Sequence, residues 1–182
     1  IITAGGGGMI LTNDKRIAEK ANYLTRQAKD DPKLYIHNNI GYNFRLTNVQ
    51  AAIGLAQLEQ IDTILSKKKK IFKRYQKKIS IIPGLDIAKV PKYSSNNHWL
   101  NILKINNNEY GMEYLDIMSI LAKNNIEARP VWFLNHLQKP YQNCQSYQIE
   151  NAQKLLKSSL CLPSSSELTD SDINKISDLL SE

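Results

Sequence analysis

Gly41-Tyr42-Asn43-Phe44-Arg45-Leu46-Thr47-Asn48-Val49-Gln50-Ala51-Ala52 sets an amide and a guanidinium directly before a strongly signalled helix. Thr47 and Gln50 form a T-x-x-Q capping box, in which each side chain satisfies an orphan backbone donor of the first turn. That cap constrains the direction of the segment carrying Asn43 and Arg45. Arg suits phosphate because its planar fork donates two parallel charged hydrogen bonds. From these residues alone two readings stay open. One is a local structural brace, the commoner role of a short motif; the other is an anion clamp.

Downstream of the cap, apolar positions carry the helix through Leu58 and Ile61, and helical periodicity resumes from Thr63 to about Ile81. That length is unusual for one globular helix, so a break is expected near Asp62, with Pro83-Gly84 as the stop. Within this stretch Ile64, Leu65, Ile71, Phe72, Tyr75 and Ile79 recur at spacings of three, four and seven. Lys67 to Lys70, with Lys73, Arg74, Lys77 and Lys78, are therefore expected mainly on the solvent side of an amphipathic helix. Upstream, Met9-Ile10-Leu11-Thr12 reads as a short buried strand after Gly5-Gly6-Gly7-Gly8. A helix follows, capped by Thr12 or Asn13 with Ile17, Ala21 and Leu24 as its stripe, and Asp30-Asp31-Pro32 opens a polar loop to about Asn39.

Beyond Gly84 the pattern changes to short strands and amphipathic helices, which places a domain boundary within the long helical stretch. His98 to Ile105 predicts a mostly buried strand, Tyr110 to Asn124 a helix, and Ile126 to Phe133 a strand that Pro130 confines to an end or edge. Gln148 to Lys157 predicts a helix and Leu160-Cys161-Leu162 a short buried strand. Thr169 and Asp172 cap the last helix, with Leu168 and Ile173 placed as a hydrophobic staple.

The chain has 182 residues, 42% hydrophobic and 23% charged, which fits one ordinary globular domain or a small domain plus part of a larger one. No run approaches the roughly 18 apolar residues of a membrane helix. Ile1-Ile2-Thr3-Ala4 lacks the basic start and apolar stretch of a signal peptide, and the expectation is a chain that begins inside a longer product. Two cysteines, Cys144 and Cys161, lack metal-ligand spacing and disulfide density, so free thiols in a reducing cytoplasm are expected. The net charge of +7 raises a basic nucleic-acid-binding domain as one alternative, although no recognition motif accompanies the lysines.

The four glycines could admit a phosphate, but neither G-x-x-x-x-G-K-[ST] nor G-x-G-x-x-G opening a helix is present; a tight turn or close packing is the simpler reading. His136 lies in a loop with amphipathic groups and Arg129 nearby, with no Ser, Cys or carboxylate at triad spacing.

Four blocks then carry a resemblance: ITAGGGGMILTND, YIHNNIGYNFRLTNVQAAIGLAQLEQID, ARPVWF with HLQKPY, and LCLPSSSELTDSDI. Together they cover nearly the whole chain, and it resembles the DegT/DnrJ/StrS sugar aminotransferases, most of all members that aminate nucleotide-linked 4-keto-6-deoxy sugars in perosamine and legionaminic acid pathways. The resemblance implies a fold-type I enzyme dependent on pyridoxal 5'-phosphate, a homodimer with shared active sites, a nucleotide-sugar substrate for surface polysaccharide, glutamate as amino donor and a cytoplasmic location. It implies that residues 1–62 end the large α/β domain with a dimer-forming helix, and that residues 63–182 are a small α+β carboxy-terminal domain. Asn43 matches the asparagine that reaches the cofactor phosphate of the partner subunit, and Arg45 the arginine beside it. Tyr35 and His37 fall on a loop near the partner's substrate site, and Arg129 and His136 on the segment facing the sugar nucleotide. Gly6 stands where the family often has Glu. The family's Schiff-base lysine precedes the block that opens this chain, so a fragment inactive by itself is expected. A catalytically dead sugar-nucleotide binding or assembly module is the other alternative.

Overall fold

The computed structural model describes residues 1–181, which divide into two compact units, one of residues 1–62 and one of the described residues from Thr63 onward. In the first unit α1 spans Lys15–Thr25 and α2 Asn48–Leu58. Helix α1 is capped by Asp14, whose carboxylate accepts from the Arg16 N–H at 2.8 Å, rather than by Thr12 or Asn13. The Thr12 hydroxyl instead accepts from the Asp14 N–H at 3.1 Å, which sets the cap one residue later. Residues 9–12 do not form the expected buried strand: Met9 is 82% and Leu11 84% exposed, in irregular chain. A strand needs a neighbour to pair its backbone groups, and the described residues of this unit supply none beyond two isolated bridges elsewhere. The glycine run makes a bend at Gly5 and Gly6 and opens no helix.

Thr47 caps α2 through the reciprocal box predicted for it: the Gln50 N–H donates to the Thr47 hydroxyl, and the Thr47 N–H to the Gln50 side-chain oxygen, each at 3.3 Å. The break between α2 and the next helix falls at Glu59 and Gln60, slightly ahead of Asp62. Helix α3 then runs Ile61–Ile79.

In the second unit, four strands, β1 (Leu85–Ile87), β2 (Asn101–Ile105), β3 (Arg129–Pro130) and β4 (Ser159–Leu162), form an antiparallel sheet in the order β1-β2-β4-β3. Leu103 pairs with Leu160 at its centre. Pro130 lies on the edge strand, the position to which its missing N–H confines it in a sheet. Only two residues of the predicted 126–133 strand pair, since β3 follows β4 for that length alone. The predicted 98–105 strand likewise starts at Asn101, because His98 takes a positive φ of 50° that extended pairing forbids.

Helices α4 (Asn107–Tyr110) and α5 (Tyr114–Lys123) replace the single helix expected over 110–124, since Gly111 adopts a left-handed φ of 82° and ends the first. Helix α6 spans Glu150–Lys157 and α7 Asp170–Leu179, the latter capped by Thr169 and Asp172 as predicted. One core joins these pieces. Ile71, Tyr75 and Ile79 of α3, Ile117 and Leu121 of α5, and Ile173 and Ile176 of α7 pack with Leu103, Leu160 and Leu162 of the sheet. Each such side chain contributes about 1.5–3 kcal/mol by leaving water. Lys68 departs from the expected solvent face: it is 7% exposed, and its ammonium donates to the carbonyls of Trp99 and Ser164. It lies three residues before Ile71 and seven before Tyr75, on the stripe that helical geometry turns inward.

Candidate functional site

The strand-like segment carrying Asn43 and Arg45 is pinned to the end of α1. The Tyr42 N–H donates to the Leu24 carbonyl at 2.8 Å, the Phe44 N–H to that of Thr25 at 3.2 Å, and the Gln27 N–H to that of Tyr42 at 3.0 Å. Arg26 and Asn43 thereby form a β-bridge. The Tyr42 and Phe44 rings stack with centroids 5.0 Å apart, and the α2 cap fixes the far end of the segment. Arg45 is exposed, and its Nη1 donates to the side-chain oxygen of Asn22 at 3.3 Å. Asn22 carries no motif of its own in the sequence; only the approach of the 42–45 segment to α1 reveals it.

Asn43, Arg45 and Asn22 line a cavity of about 930 Å³ together with Gly7, Thr12 and Gln50. Arg45 is the one charged side chain lining that cavity among the described residues, and no carboxylate neutralises it. An amide beside an unpaired guanidinium is a donor set suited to a phosphate monoester, so these residues fit the phosphate end of pyridoxal phosphate.

Tyr35 and His37 lie on the loop between α1 and α2, closed by a bridge between Asp31 and Ile36. Tyr35 is 72% exposed with a φ of 55°, and the Lys29 ammonium lies 5.2 Å from its ring centroid. His37 is exposed, and its Nδ1–H donates to the Gln27 carbonyl at 2.8 Å. Asp30 accepts from the Asn38 N–H at 2.6 Å and from the Tyr23 hydroxyl at 3.0 Å; the Asn38 bond, above all, holds its carboxyl below the usual range. Arg129 and His136 belong to the second unit. Arg129 is exposed on β3 and forks onto one oxygen of Glu127, with both Nε and Nη2 at 2.8 Å. His136 sits in a short 3-10 turn, Asn135–Leu137, with its Nε2 buried and without a hydrogen-bond partner among the described residues. Asn43 and Arg45 line the same cavities of the first unit, and Arg129 and His136 lie in the second unit.

The DegT/DnrJ/EryC1/StrS aminotransferase family matches residues 1–181. The chain belongs to this family. EpsN of Bacillus subtilis (strain 168), which carries the name of a pyridoxal phosphate-dependent aminotransferase, is 37% identical over 99% of this chain and 47% of its own length. GDP-perosamine synthase of Caulobacter vibrioides is 32% identical over 97% of the chain and 47% of its own length. Among solved structures, the aminotransferase TlmJ from Streptoalloteichus hindustanus superposes with a TM-score of 0.83 at 20% identity, over 98% of this chain and 47% of that one. The chain thus spans about half the length of the relatives it matches. As a DegT/DnrJ/EryC1/StrS member it has the mixed helix-and-sheet architecture of part of a fold-type I pyridoxal phosphate-dependent aminotransferase. No helix among the described residues is long and apolar enough to cross a membrane.

Proposed function

We propose that these residues form part of a pyridoxal phosphate-dependent aminotransferase that moves an amino group from glutamate to a nucleotide-linked keto-deoxy sugar, for surface polysaccharide, in the cytoplasm. Residues 1–62 end its large domain and residues 63–182 form its small one. The observation that carries this reading is the cavity in which Arg45, unneutralised and steered by Asn22, is the sole charged lining group beside Asn43. When bound, pyridoxal phosphate supplies the electron sink for amino-group transfer. The chain's own part is grip and orientation. Arg45 and the Asn43 amide would donate to the phosphate, and the bridge to Arg26 with the α2 cap holds their backbone in place, which lowers the ordering cost of binding.

A homodimer with shared sites is part of the proposal. Helix α2 supports it, since it has no buried residue although Val49, Ile53, Leu55 and Leu58 are all apolar and exposed. Exposed apolar stretches of this kind mark contact surfaces. Tyr35 and His37 are proposed to lie near the partner subunit's substrate site, and Arg129 and His136 on the segment facing the sugar nucleotide; the Nε2 of His136, unpartnered among the described residues, supports a polar ligand there.

The test is to express the reading frame that contains these residues and to measure its affinity for pyridoxal phosphate and for pyridoxal, which lacks the phosphate. Arg45→Ala is expected to weaken pyridoxal phosphate binding about 10- to 100-fold, the scale of charged hydrogen bonds, and to leave pyridoxal binding unchanged. Equal affinities of wild type and variant for pyridoxal phosphate would overturn the assignment.

A further inference from the structure

The loop that carries His37 is built at a backbone cost that its own packing does not require. Gln27 and Ala28 are consecutive non-glycine residues with positive φ, 68° and 47°, a conformation that L residues avoid unless the surroundings enforce it. Ala28 is nevertheless fully buried. The space for it exists only because residue 41 is glycine: a Cβ there would lie 2.2 Å from the Ala28 nitrogen and 2.3 Å from the Gln27 carbonyl carbon. This turn aims the Gln27 carbonyl at the His37 ring.

A carbonyl oxygen only accepts, so Nδ1 of His37 carries the proton, and in the neutral ring Nε2 is left with its lone pair. Nε2 has no protein partner among the described residues, and the side chain is exposed. The neighbouring acceptors are already engaged. Asp30 takes the Asn38 N–H and the Tyr23 hydroxyl, and Asp31 Oδ1 takes the N–H groups of Lys33 and Leu34. Those bonds also clamp the chain on both sides of His37, so the ring has little freedom to turn away.

We propose that His37 presents Nε2 as a fixed hydrogen-bond acceptor to a hydroxyl of the sugar substrate, its tautomer locked by the Gln27 carbonyl. The identity of that ligand rests on the aminotransferase reading; the lock itself does not. The turn at Gln27 and Ala28, seated on Gly41, is the device that orients the acceptor. A hydroxyl suits an unprotonated ring nitrogen because it donates, whereas a phosphate oxygen would meet the lone pair with repulsion.

Two measurements on the expressed reading frame test this. Two-bond proton–nitrogen spectra, with His37→Asn used to assign the signal, are expected to show His37 in the Nδ1–H tautomer, and Gly41→Ala to abolish that preference. An Nε2–H tautomer in the wild type overturns the lock. In steady-state kinetics, His37→Asn keeps a donor near Gln27 but leaves no acceptor at the Nε2 position, and is expected to raise KM for the keto sugar about 10-fold, the scale of one lost hydrogen bond, with pyridoxal phosphate affinity unchanged. His37→Gln, whose longer side chain returns an acceptor near the Nε2 position, is expected to recover part of the loss. A wild-type KM in His37→Asn overturns the ligand contact. A wild-type protein that transfers no amino group overturns the aminotransferase reading and the assigned substrate together, leaving the tautomer spectrum to decide the lock.

Discussion

The two units of this chain bury their apolar side chains very differently. In residues 63–182 the helices and the sheet share one core, with Tyr75, Ile87, Leu103, Ile117, Leu121 and Leu160 completely removed from water. In residues 1–62 Ala28 is the one fully buried apolar residue among the described positions, while Met9, Ile10, Leu11, Phe44, Leu46 and Val49 lie exposed. The second unit is held by hydrophobic burial, the strongest driving force in most folds. The first is held by capping, backbone bridges and side-chain hydrogen bonds, each worth about 1 kcal/mol. The lesson is that the segment proposed to grip an anion sits in the region whose own packing is weakest, where apolar side chains stay exposed instead of forming a private core.

The sharpest way to break that comparison is to make matched deletions. Leu160→Ala, at the centre of the sheet, is expected to cost about 2–5 kcal/mol by leaving a cavity, read from the shift of the denaturant midpoint. Leu55→Ala, on exposed α2, is expected to leave that transition within about 0.5 kcal/mol while reducing self-association in light scattering. Comparable losses from both would show that the first unit has a core of its own.

A smaller effect is expected at Lys68. Its ammonium is buried and donates to the Trp99 and Ser164 carbonyls, so Lys68→Met leaves both without that donor and is expected to cost about 1–3 kcal/mol. Burial lowers the folded-state pKa of Lys68 below its ordinary value of 10.5. Between the folded and unfolded values the unfolded chain holds more protons, so stability rises with pH through that window. The variant is expected to lack this rise, which denaturant titrations at several alkaline pH values will show.

The smallest effects come from the two capping boxes, which share one chemistry in the two unlike regions. Thr169→Ala is expected to lower the global stability of the second unit by about 1 kcal/mol. Thr47→Ala is expected to leave the main unfolding transition in place and to speed amide exchange in the first turn of α2. A global effect from both would merge the two units into one cooperative block.

Both boxes are legible in the sequence, because a cap is a local bond between residues three apart. So are the edge position of Pro130 and the stop after α3, which rest on the missing N–H of proline and on chain punctuation. Asn43 and Arg45 are legible as a pair of donors, yet the Asn22 side chain that Arg45 meets lies 23 positions away and needs the fold. The buried lysine escapes a sequence reading because a run of four lysines looks like a solvated face; its spacing to Ile71 and Tyr75 points inward, but the Trp99 and Ser164 carbonyls that receive its ammonium arrive only with the fold. Residues 9–12 fail in the opposite sense: continuous apolar character predicts burial, but burial requires a partner surface.

By itself, the order of residues determined where helices begin, which side chains can cap them and where an amide and a guanidinium stand together, since these depend on interactions within a few residues. Tertiary structure alone decided the four-strand order, the carbonyls that receive the Lys68 ammonium and the tautomer of His37. Each of those depends on groups distant along the chain, and whether a distant partner arrives is settled by packing of the whole rather than by local preference.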